Sequence, residues 1–155
     1  MSKRRPRYLI FVLLLVPALA ACYLVSGERS EEATPNPLGE GRLEVQFVTA
    51  DGQVDREIPV GVAEVPVLVD LTVQAQQGEL TLSFLDSAFN PVLSVTGRYG
   101  LEGNGSAVIQ SDAQGRLLFR IAANEVREGA YTIHYQLLVL PTPTPTVTPT
   151  PEPTP

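Results

Sequence analysis

Apolar side chains in the middle of the chain recur at every second residue. From 65 to 75 the odd positions hold Val65, Val67, Val69, Leu71, Val73 and Ala75, while Asp70, Thr72 and Gln74 take even ones. A strand sends successive side chains to opposite faces, so this alternation predicts a strand with one buried face. The pattern returns at Leu80, Leu82 and Phe84 after Gly78, and at Leu117, Phe119 and Ile121 after a turn at 112–115. In the last predicted strand Tyr131, Ile133, Tyr135, Leu137 and Val139 share one face, with Thr132, His134 and Gln136 on the other. Fainter alternation predicts strands at 43–49, 53–60, 91–96 and 106–110, with Asp51-Gly52 as a tight hairpin between the first two. No stretch carries a 3.6-residue period, and 122–128 allows at most one helical turn. Seven or eight strands with frequent turns predict an all-β chain: an antiparallel β-sandwich, jelly-roll-like or immunoglobulin-like, over residues 41–140.

The ends have other compositions. Residues 1–7 are basic, and residues 8–21 are an almost pure apolar run ending in small residues, which together form an export signal. The four residues Leu19-Ala20-Ala21-Cys22 close that run. They resemble the lipobox of bacterial lipoproteins, an aliphatic residue and two small residues before a cysteine. The resemblance implies cleavage after residue 21 and a diacylglycerol, with further fatty acyl chains such as palmitate, on Cys22. Acylation would also remove the chain's single thiol from an oxidising compartment. Two readings stay open beside it. Tyr23, Leu24 and Val25 extend the apolar run to 18 residues, near the lower limit for an uncleaved membrane-spanning anchor helix; simple secretion is the other. Residues 22–40 are acidic and rich in proline and glycine, which predicts a flexible tether. Residues 141–155 hold seven prolines and six threonines, which predicts a disordered, extended tail.

Within the body, Gly78-Glu-Leu-Thr-Leu82 follows a long alternating stretch, and Gly129-Ala-Tyr-Thr-Ile133 opens the final one. This arrangement over residues 65–140 resembles the bacterial pre-peptidase C-terminal domain, a jelly-roll-like sandwich appended to secreted enzymes. The resemblance implies an accessory or binding role without catalysis, although no enzyme domain precedes the sandwich here.

Charge narrows the partners. The formal net charge is −6, and four of the positive charges lie in the first seven residues; beyond residue 21 the chain carries no lysine. Such an acidic chain repels phosphate backbones, which argues against nucleic acid. One cysteine, one histidine and no tryptophan leave no set for a zinc site, a disulfide framework or a cysteine–histidine dyad, and no cofactor is called for.

The candidate chemistry is sparse. Nothing around Ser83, Ser87, Ser94, Ser106 or Ser111 resembles a nucleophile elbow, and His134 reads as an exposed strand residue. Asp51, Asp55 and Glu57 are spaced like oxygen ligands of a calcium loop, but Arg56 stands where the loop needs glycine. The glycine-rich stretch 97–105 lacks the following helix of a phosphate cradle and reads as a long sandwich loop; Arg98, Tyr99, Glu102 and Asn104 are its candidate ligand-binding residues. The sequence therefore points to a membrane-tethered, extracytoplasmic module of a bacterial envelope with a structural or protein-interaction role. The alternative is a module that binds carbohydrate or another small ligand. Its partners would be the membrane and other envelope proteins or glycans.

Overall fold

The computed structural model describes residues 23–33 and 39–138. They form seven strands and no helix: β1 (Leu24–Ser26), β2 (Arg29–Ala33), β3 (Glu40–Pro59), β4 (Pro66–Leu85), β5 (Pro91–Arg98), β6 (Gly103–Gln110) and β7 (Arg116–Leu137). All pairings are antiparallel, in the order β1-β3-β7-β4-β5, with β2 added to β3 and β6 to β4. Cys22, the apolar run before it and the proline–threonine tail lie outside the described residues.

Three strands are far longer than the sequence pattern predicts. β3 and β4 have 20 residues each and β7 has 22, against about 5–6 for an ordinary strand. The strands expected at 43–49 and 53–60 are one strand, β3; the Asp51-Gly52 hairpin does not form, because both halves pair with β7 and not with each other. Likewise 66–75 and 80–84 are both in β4, and 117–121 and 131–137 are both in β7; residue 139 of the expected last strand lies outside the described residues.

What the alternation records as a break is an extra residue. The ladder shifts at Ala50/Gly52 in β3 and at Gln77/Glu79 in β4. One inserted residue moves the buried set from odd to even positions: Val73 and Ala75 point inward before the shift in β4, Leu80 and Leu82 after it. In β7 the interruption falls at Glu125 and Glu128, both with positive φ (51° and 50°), in place of the helical turn allowed there. Gly78, also at positive φ, lies so close to the carbonyls of Asn124 and Glu125 that a Cβ there would sit 2.4–2.5 Å from them. The Asp51 carboxylate accepts the backbone N–H of Glu125 at 3.2 Å, tying the β3 irregularity to that of β7.

These irregularities line up across three strands and make one fold line, along which the sheet doubles over. Layer A contains β2, residues 40–50 of β3, 126–137 of β7, 66–77 of β4, and β6. Layer B contains 52–59 of β3, 116–123 of β7, 79–85 of β4, and β5. Between them lies one core, in which Leu71, Val73, Leu80, Phe84, Phe119 and Ile133 are almost wholly buried. Phe119 stacks beside Phe84 at 5.7 Å within layer B and meets Tyr131 of layer A at 6.4 Å. The result is a two-layered antiparallel sandwich. At the end away from the fold line lies Ser111, the one buried polar residue among the described residues; its hydroxyl donates to the Val62 carbonyl and accepts the Val65 N–H.

The region expected to be a flexible tether is partly ordered. β1 pairs with residues 49–51 and β2 with residues 42–46 of β3, so only Tyr23 separates Cys22 from the sheet. The cause is a charge in the wrong place. Arg56 falls in the inward phase of β3, between Val54 and Ile58, next to an open edge. An inward-pointing charge on an edge strand discourages further pairing, but it needs a counter-ion. Glu28, between β1 and β2, supplies it through two hydrogen bonds of 2.7 and 2.9 Å. Tyr23 packs against the core beside this pair, and burial raises its phenol above the ordinary range.

Candidate functional site

Of the four residues singled out in the glycine-rich stretch, Arg98, Tyr99 and Glu102 line one shallow hollow with Gln74, Gln76 and Glu128, and Asn104 stands beside Glu102. The stretch is not a long loop: β5 and β6 are joined by a two-residue turn at Tyr99 and Gly100, closed by reciprocal backbone bonds between Arg98 and Leu101. Arg98 lies on the outer surface of layer B, paired with Glu79 at 2.8 Å. Tyr99 stands exposed at the turn. Glu102 and Asn104 lie on the outer surface of layer A, where Asn104 donates to Glu102 at 3.0 Å and accepts from Thr72 at 2.8 Å. The surrounding glycines serve packing. A Cβ on Gly97 would meet the Val73 carbonyl oxygen at 2.5 Å, and one on Gly103 the Thr96 carbonyl oxygen at 2.3 Å. They allow β5 and β6 to cross closely where the sheet edge turns from one layer to the other.

The acids with calcium-loop spacing are committed elsewhere. Asp51 holds the fold line. Asp55 takes two hydrogen bonds from Arg120 of 2.7 and 2.9 Å, which hold its carboxyl below the usual carboxylate range. Glu57 accepts from Arg116 at 2.7 Å. Among the described residues no group of three potential metal ligands gathers.

A continuous polar surface covers the outer face of layer A, which sequence reasoning did not assemble. Its side chains come from the polar positions that alternate with the core. Register aligns them in rows across the strands. One row runs Arg42–His134–Asp70–Ser106, over β3, β7, β4 and β6; the next runs Glu44–Thr132–Thr72–Asn104. The periphery is internally satisfied: Arg42 and Gln46 both bond Glu44, and Gln74 and Asn104 both bond Glu102. The centre is not. Asp70, Ser106, His134 and Gln136 make no side-chain hydrogen bond or ion pair among the described residues, and Asp70, His134 and Gln136 line a shallow concavity with Glu40 and Leu68. Four open polar groups on neighbouring strands, ~4.8 Å apart from strand to strand, supply donors and acceptors over an area the size of a few sugar rings.

The same row argues against a serine hydrolase. Asp70 lies between Ser106 and His134, so the serine and the imidazole are two strand spacings apart, roughly 10 Å. A general base must reach its nucleophile at hydrogen-bond distance.

No family model matches the chain, and no curated protein matches it. Solved structures similar to it include the enzymatically active domain of bacteriophage CBA120 tailspike protein 4, at 15% identity and a TM-score of 0.36 over 75% of this chain. A recombinant oxalate oxidase in complex with glycolate aligns at 20% identity and a TM-score of 0.40 over 71% of this chain. A carbohydrate-binding module from Cellvibrio mixtus lichenase 5A in complex with cellotriose aligns at 19% identity and a TM-score of 0.33, covering 73% of this chain and 88% of the module. The chain spans 19% of the tailspike chain and 50% of the oxalate oxidase chain.

Proposed function

We propose that the protein is a membrane-tethered, extracytoplasmic binding module that holds a hydroxyl-rich ligand, a glycan, on the outer face of layer A. One observation carries this reading: the open polar group formed by Asp70, Ser106, His134 and Gln136 beside the self-bonded clusters around Glu44 and Glu102. Carboxylate, amide, imidazole and hydroxyl groups match sugar hydroxyls, which donate and accept alike. A protein-interaction surface would instead centre on aromatic and apolar anchors and exclude charge from its middle. The role is binding and not turnover, since no nucleophile and base adjoin on this face.

Tethering rests on the lipobox at residues 19–22 and is favoured over a spanning helix by β1. Leu24 and Val25 are in the sheet, so the apolar stretch left for a span is residues 8–22, short of the ~17–25 residues a helix needs.

The test is a glycan array probed with the full chain in detergent, followed by calorimetry on the hits. Asp70→Ala and His134→Ala should each weaken binding by an order of magnitude or more, and Asp55→Ala, on the opposite layer, should leave it unchanged. Equal binding by all three variants, or no glycan bound at all, would remove the proposal.

A further inference from the structure

The fold line forms a ridge at one end of the sandwich, and its surface differs from both outer faces. Leu24 and Val48 stand exposed on it, at 68% and 57%. Tyr99 and Leu101, at 77% and 63%, stand where the β5–β6 turn reaches it. Between them the surface is continuous: Leu24 shares a hollow with Gln77 and Arg127, Val48 shares the next with Gln76 and Glu128, and these two share a third with Tyr99 and Leu101. The ridge is therefore a polar strip with apolar groups at both ends.

Its position along the chain decides what covers it. Leu24 is two residues from Cys22, and two residues span less than about 8 Å. Whatever anchors residue 22 holds Leu24 at the same level, because Tyr23 is packed against the core and gives no slack.

We infer that the ridge lies directly on the lipid bilayer, with Leu24 and Val48 beside the anchor and Tyr99 and Leu101 as a second point of contact in the headgroup region. This rests on the membrane tethering proposed above. A tyrosine and aliphatic groups at one level suit the boundary between headgroups and acyl chains. The three hollows along the strip are lined by Arg29, Arg98 and Arg127 against Asp51, Glu102, Glu125 and Glu128, so opposite charges nearly balance with one acid in excess. The surface it fits is thus a zwitterionic one, and two contact points in place of a flexible leash fix the domain's orientation. The opposite end also exposes apolar side chains, Phe89 and Val62, but Tyr23 and Leu24, the described residues nearest Cys22, lie at the ridge.

Depth measurement tests this. The full chain, produced in bacterial membranes and reconstituted in phosphatidylcholine vesicles, would carry an environment-sensitive dye at Leu101→Cys or at Phe89→Cys, with wild type as the control for dye on Cys22. The expected result is flotation with the vesicles and quenching by lipid-borne nitroxide several-fold stronger at 101 than at 89. Flotation with equal, weak quenching at both positions overturns the ridge contact and leaves the tether standing. Energy transfer between copies at 101 without lipid quenching also overturns it, with a second copy covering the ridge. Failure to float overturns tether and ridge together.

Discussion

The rings of Phe119 and Tyr131 meet edge to face with centroids 6.4 Å apart, although both belong to the single strand β7. On a straight strand, twelve residues at ~3.3 Å each would separate them by about 40 Å. The contact exists because Glu125 and Glu128 bend the strand back across the core.

Phe119 is 1% exposed and touches aromatic rings in both layers. Truncating such a residue costs ~3–5 kcal/mol, out of a total of ~5–15 for a domain this size. Phe119→Ala should therefore lower the melting temperature severely. Arg120→Ala, one residue along, loses only an outer-face pair with Asp55 and should lower it little. Equal effects in thermal melts would mean that β7 does not present one face to the core here.

The Glu28–Arg56 pair predicts a non-additive result. Glu28→Gln leaves Arg56 turned inward without its counter-ion, whereas Glu28→Gln with Arg56→Met removes both charges. The double variant should melt above the single one. A double variant that melts at the sum of two losses would show that the pair does not hold residues 23–33 to the sheet.

Two glycines of one short segment should behave oppositely. A side chain on Gly103 would meet a backbone carbonyl oxygen at 2.3 Å, whereas nothing lies within 4 Å of the Cβ position on Gly100. Gly103→Ala should open the crossing of β5 and β6 and cost several degrees. Gly100→Asn, which keeps a side chain tolerant of positive φ, should cost little. Circular dichroism melts of both variants check this.

Acid should loosen the end of the sandwich opposite the ridge. Asp86 is held below the usual carboxylate range by the Asn90 backbone N–H, with the Asn90 side chain and the Ala88 N–H in support. At Asp112 desolvation pushes the other way, but the Arg116 N–H and guanidinium outweigh it and the carboxyl is again lowered. Groups lowered by folding contribute fully above their unfolded value, near 4, and lose that contribution as pH falls through the lowered one. Stability should be flat from neutral pH to about 5 and fall below about 4. Asp86→Ala together with Asp112→Ala should flatten the fall, and an unchanged acid slope in the double variant would assign it to other groups.

The alternation was a reliable guide to which residues are buried, and a poor one to where strands end. Val67 through Ala75 and Leu117 through Ile121 point inward as their spacing predicts. But a change of phase reads the same whether the chain turns to pair with itself or inserts one residue and continues, so Gly52 and Gly78 look like turns in sequence and act as bends in one strand. The site was legible only in part. Thr132, His134 and Gln136 were placed on the polar face by their phase, yet their meeting with Asp70 and Ser106 depends on a register between strands some 30 and 60 residues apart in the chain. No local pattern encodes that. Arg56 shows a second limit: from sequence it was read only as a misfit in a calcium loop, and its partner Glu28 lies in a stretch whose composition predicts a flexible tether.

The two ends of the described chain leave the sandwich on opposite sides. β1 and β2 run away from the ridge, and β7 runs away from it too, ending where Leu138 bonds the Pro66 carbonyl. A pull between an anchored N-terminus and whatever engages the C-terminal side therefore acts parallel to the strands. It loads the β2–β3, β3–β7 and β4–β7 hydrogen bonds in shear, many at once, and does not unzip them one by one. Against such a pull the domain would have a rupture force set by the concerted loss of a whole ladder.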